Sequence, residues 1–220
     1  MSNGRDAAGA LRGVPGRAAA ARPGDRPVAG RWMAVAGGAA LGLAAAVLAL
    51  SGTGKDGIAD ALRATARLAF VPFWLAYTGG ALAALFGPAL LPLKRRGREL
   101  GLAFAAVLLV HLGLVAWLCL LGAAPGARTF EVFGLAAGCA ALLALFSIER
   151  LSRLPGATGW WLLRNVGMTY IILAFADDFL KGPLYGSVGD VAMYLPFTVL
   201  TVAAPALRLA ALVRRLWHAR

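Results

Sequence analysis

Two histidines occur in this sequence, and they differ in what they can do. His218 sits among Arg214, Arg215 and Arg220 at the C-terminus, where water solvates it. His111 lies inside a long apolar run, thirteen residues beyond Arg98. At helical rise that is about 20 Å, well into a hydrocarbon layer about 30 Å thick. An imidazole placed there loses its hydrogen bonds to water. It needs a metal or haem iron, a polar group on another helix, or an internal water in their place. The most polar of the apolar runs is a later one, with Arg164 and Asn165 near one end and Asp177 and Asp178 near the other. An arginine this close to a helix end can snorkel to the interface, so Arg164 is expected there.

The elements that must position these groups are helices in a bilayer. The chain is 60% hydrophobic with a mean hydropathy of +0.73, far above the roughly half-apolar usage of soluble domains. Six apolar runs read as spans: Trp32 to Leu50, Leu68 to Leu93, Glu99 to Leu121, Phe130 to Ile148, Gly159 to Leu180 and Val188 to Val213. The expected fold is all-α, a polytopic bundle of six transmembrane helices over residues 32–213. Residues 1–31, rich in Ala, Gly, Pro and Arg, cannot bury a core and are expected to form a disordered basic tail. Residues 214–220 form a second basic tail. The N-terminal arginines serve as a topology determinant or attract anionic headgroups. The first run is too far from the N-terminus for an ordinary signal peptide, although Ala44, Ala45 and Ala46 supply small residues.

Charge gives the orientation. With the N-terminus in the cytoplasm, 17 Lys and Arg fall on the inner side and five on the outer. The inner set includes Lys94, Arg95, Arg96 and Arg98, then Arg150, Arg153 and Arg164, and Arg208 with the C-terminal arginines. This asymmetry predicts six spans with both termini inside, in a bacterial-type inner membrane. The formal charge of +12 does not point to nucleic acid, because the basic residues lie at span ends without interleaved aromatic residues.

Smaller features carry further expectations. Residues 54–67 alternate charge and apolarity at helical spacing and read either as an interfacial helix or as an amphipathic start to the second span. Pro72 and Pro88 within the second span predict a tilt or kink. Gly38 with Gly42, and Gly134 with Gly138, are GxxxG pairs that allow close helix approach. Cys119 and Cys139 lack paired spacing for zinc or a redox CxxC and read as small packed side chains.

No GxGxxG follows a strand, GxxxxGK(S/T), HExxH and GxSxG are absent, and no serine has a claim as a nucleophile for His111. A transporter requires ionisable groups or broken helices along a path; the prolines allow breaks, but Arg164, Asp177 and Asp178 lie near ends.

The run Arg98-Glu99-Leu100-Gly101-Leu102, with His111 ten residues after the glycine, resembles the third span of the ferric-reductase-like membrane superfamily. The resemblance is closest to the haem-binding membrane subunit of the periplasmic methionine sulfoxide reductase system. It extends to six spans, Thr78-Gly79 in the second, Pro92 before the basic loop, and Trp160 or Trp161 entering the fifth. It implies haem b held between helices, His111 as an iron ligand, and electrons taken from a quinone or a separate reductase and passed to a partner membrane or periplasmic protein. The family's fifth span normally carries two histidines; this chain has Arg164 or Asn165 and Asp177 or Asp178 at those places. Three outcomes are open: haem held by His111 with Met168 as a second axial ligand, haem on His111 alone, or a haem-free accessory subunit in which His111 bonds a neighbouring polar group. The resemblance thus gives two functional readings, a haem b electron-transfer subunit and a haem-free structural or accessory subunit, with a small transporter as a third.

Overall fold

The computed structural model describes residues 25–147, 151, 154–185 and 188–218. Among them, the regular elements are seven α-helices and one 3-10 turn. These are α1 (Asp25–Ser51), α2 (Lys55–Phe86), the turn Pro88–Leu90, α3 (Leu91–Arg95), α4 (Gly97–Leu120), α5 (Ala127–Phe146), α6 (Gly156–Tyr185) and α7 (Val188–His218). Five of them, all but α3 and α6, contain stretches long and apolar enough to cross a membrane, which marks a multi-pass membrane protein. Their outward residues are apolar too: Leu109, Leu120, Leu135 and Val199 are exposed on the bundle surface, as expected of helices that face lipid.

Each expected span corresponds to a helix, with three differences. First, α1 begins at Asp25, so the helix takes in residues 25–31 that composition assigns to the tail; the rest of that tail, with Glu149, Arg150, Arg153 and Arg220, lies outside the described residues. Second, residues 55–67 do not form a separate helix. They continue into α2, with Ile58, Ala61 and Thr65 buried along one side. Third, the second span does not run to Leu93. Gly87, at φ 94°, ends α2, and Pro88 starts a turn that leads into α3. Pro72, by contrast, lies inside α2.

The chain then folds back, and Leu93 returns against α2 at Gly79, where a Cβ would lie 3.1 Å from the Leu93 side chain and 3.3 Å from its carbonyl oxygen. Thr78-Gly79 is therefore a packing site. Both GxxxG pairs differ from expectation: nothing lies within 4 Å of a Cβ built at Gly38, Gly42, Gly134 or Gly138.

Two clusters hold the bundle. At the α1–α2 turn, Ala44, Ile58, Ala61 and Leu114 pack together. Across the middle an aromatic core joins α2, α4, α6 and α7. Phe70 of α2 meets Phe175 and Phe179 of α6 at 5.2 and 5.1 Å between centroids, both edge to face, and Phe197 of α7 at 5.9 Å. Edge-to-face geometry places the positive rim of one ring on the negative face of another, so these contacts are directional as well as close. Phe73 extends the cluster to Phe104 of α4 at 5.1 Å.

Candidate functional site: a cavity beside His111

His111 is positioned by α4, which is apolar on nearly every side and turns the ring toward α2. There its Nδ1 lies 2.9 Å from the Oγ1 of Thr65, a residue with no exposed surface. The Thr65 hydroxyl also lies 2.8 Å from the Ala61 carbonyl oxygen and 3.1 Å from that of Leu62. A threonine hydroxyl carries one proton, and a carbonyl can only accept. With that proton on the nearer carbonyl, the lone pairs of Oγ1 accept an N–H from Nδ1. The ring is then held as the Nδ1–H tautomer, and Nε2 carries the lone pair. Of the compensating groups the sequence allows, a polar group on another helix is the one in place.

His111 also lines a cavity of about 300 Å³ between α2, α4, α5 and α6. His111 itself is only half-buried, less enclosed than its depth along the helix suggests. Phe104, Leu108 and Val115 line the α4 wall, Phe130 and Phe133 the α5 wall, and Ile171, Ala174 and Phe175 the α6 wall. Polar groups are few: His111, Asp178, Thr129 and Arg63, the last paired with Asp60.

The remaining candidate residues separate. Met168 packs against the aromatic core and is not among the residues lining the cavity. Arg164 is exposed, as snorkelling requires. Asp177 pairs with Lys181 at 2.6 Å, while Asp178, its neighbour in sequence, reaches the cavity. Asn165 belongs to a second polar cluster. Its amide nitrogen donates to the Trp161 carbonyl at 2.9 Å, its oxygen accepts from Arg208 at 2.7 Å, and the Arg208 guanidinium lies 4.5 Å over the Tyr77 ring. Arg208, counted by sequence with the end charges, is thus an intrabundle cation tying α7 to α6 and α2.

Two residues escape sequence reasoning. Thr65 is hidden because a helical threonine ordinarily bonds its own preceding turn, so nothing local marks it as a partner for a residue 46 positions away. The signal available was its place on the apolar side of an amphipathic stretch, three and seven residues from Leu62 and Ile58. Arg208 is hidden because it lies near other terminal arginines; its separation from Arg214 by nearly two helical turns was the available sign.

The fit of a haem can be tested on these residues. His111 supplies one axial nitrogen, and Thr65 orients the ring as outer partners of ligating histidines do. Across the cavity stand Ile171, Ala174 and Phe175, none of which ligates iron. Among the described residues no group of three or more His, Cys, Asp or Glu could hold a metal ion. The residues therefore do not fit the two-histidine haem that the resemblance implies. No family model, curated protein or solved structure matches this chain.

Proposed function

We propose that this chain is a haem-free accessory subunit in a bacterial-type inner membrane, built on a ferric-reductase-like arrangement of six spans with both termini cytoplasmic. The sixth crossing is α6, whose 30 residues extend about 45 Å. Two of its polar groups are compensated within the chain, Asn165 by Trp161 and Arg208, and Asp177 by Lys181. The observation that carries the functional reading is the Thr65–His111 hydrogen bond beside an apolar wall. A half-buried histidine whose Nδ1 is already bonded to a hydroxyl is held in place without iron, and Ile171, Ala174 and Phe175 of the facing helix are not iron ligands. The accessory role leaves a partner membrane or periplasmic protein as the expected associate, with bilayer lipids around the rest.

The second reading, a haem b electron-transfer subunit drawing on a quinone or a separate reductase, is favoured by one observation. Thr65 sets the tautomer that leaves Nε2 free, which is how a ligating histidine is prepared. A third, small-transporter reading has no comparable support, since Arg164 is exposed and Asp177 is paired.

The test is a dithionite-reduced minus oxidised spectrum of the purified protein, beside that of His111→Ala. The haem-free reading expects no alpha band in either. An alpha band in the wild type that disappears in His111→Ala overturns it in favour of haem.

A further inference from the structure

The cavity is open on one side and sets a few polar groups in an apolar wall, and these two facts together define a ligand. Leu112 of α4 and Phe130 of α5 both line it, yet they are 39% and 46% exposed on the bundle surface. The opening therefore lies between α4 and α5, beside Pro125 of the connecting loop and the exposed Thr129. A molecule that fills the largely apolar interior must present apolar surface and is therefore lipid-soluble. Inside, Phe104, Phe133 and Phe175 add further aromatic wall, which suits a ring because aromatic groups prefer offset or edge-to-face contact with one another.

Hydrogen bonding narrows the choice. With the Thr65 hydroxyl donating to the Ala61 carbonyl, its oxygen accepts from Nδ1–H, and Nε2 of His111, a cavity-lining residue, is left as an acceptor. Asp178 brings a carboxylate to the same cavity, also an acceptor when ionised. The guanidinium of Arg63, the lining cation, is engaged by Asp60. A ring bearing O–H can donate to these acceptors and also accept from Thr129 or Arg63, which line the same cavity, whereas a ring bearing only ether oxygen can accept alone, so the hydroxyl is the better match.

We propose that the cavity beside His111 binds a lipid-soluble phenol, its ring against the phenylalanines and its hydroxyl donating to Nε2 of His111. This rests on the haem-free reading, because a haem on His111 would take the same space.

The test compares 4-nonylphenol with its methyl ether, 4-nonylanisole, by equilibrium binding to the full chain in lipid nanodiscs. The two probes share size and tail and differ in the donor. The phenol should bind about fivefold tighter, the effect of one neutral hydrogen bond, and His111→Phe should erase the preference. Thr65→Val, which frees the tautomer, should reduce it.

Equal binding of phenol and ether by the wild type, or binding of neither, overturns the proposal, and that comparison stands even if His111→Phe fails to fold. A preference unchanged in a folded His111→Phe also overturns it. The absorbance of the same sample separates the two ideas. An alpha band that depends on His111 sinks the haem-free reading and the ligand with it; equal binding without a band sinks the ligand alone.

Discussion

Replacing Gly57 with alanine is expected to destabilise the protein by about 3 kcal/mol or more, the upper end of the overpacking range. A Cβ at this position would lie 1.9 Å from the carbonyl oxygen of Gly52 and 2.9 Å from that of Ser51. Both obstacles are backbone atoms, so no side-chain rotation relieves them, and the turn between α1 and α2 must move. That turn is already constrained: Gly52 sits at φ 84°, where a side chain is strained, and Gly54 is extended at the start of α2. Opening it separates Ala44 from Ile58 and Ala61, the small cluster that fixes α1 on α2. The measurement is thermal or denaturant unfolding in detergent. Gly38→Ala is the control, because nothing lies within 4 Å of its Cβ; there the gain in helix propensity, up to about 1 kcal/mol, is the only effect expected.

The second large effect is expected at Phe70→Ala. This ring has no exposed surface and touches Phe175, Phe179 and Phe197, so it joins α2 to α6 and α7. In water, Phe→Ala in a core costs about 3–5 kcal/mol through transfer and cavity terms together. Within a bilayer the transfer term shrinks, because lipid tails are as apolar as the core. The cavity and the lost edge-to-face contacts remain, and the expected cost is about 3 kcal/mol, at the low end of that range. Unfolding by the same method checks it. Phe70→Leu, which keeps much of the volume, should lose less than half as much.

Most of the helices were legible in the sequence because long apolar runs report on the bilayer. The runs containing His111, Gly134 and Pro196 mark α4, α5 and α7 to within a few residues at their starts, since a spanning helix must be apolar along its length. The fold-back after Gly87 was not legible. Pro88 reads equally as a kink inside a helix and as the first residue of a new turn, and only the contact of Leu93 with Gly79 decides between them.

The site was half legible for a related reason. Burial of His111 follows from counting along one helix. Its partner depends on which side of α2 faces α4, a relation between helices that no local pattern encodes. The resemblance sharpened attention on α6 as the source of a second ligand. The Nδ1 of His111 instead meets Thr65 on α2, and α6 contributes Asp178 and an apolar wall.

The central claim is that Thr65 holds His111 as a single tautomer with Nε2 bare, and the nitrogen shifts of the ring measure this directly. A long-range nitrogen–proton correlation spectrum of the labelled protein, with His218→Gln to leave one histidine, should show a protonated Nδ1 and an unprotonated Nε2. Thr65→Val should turn that into a mixture of tautomers. A wild-type ring protonated at Nε2, or a spectrum that Thr65→Val leaves unchanged, would contradict the account.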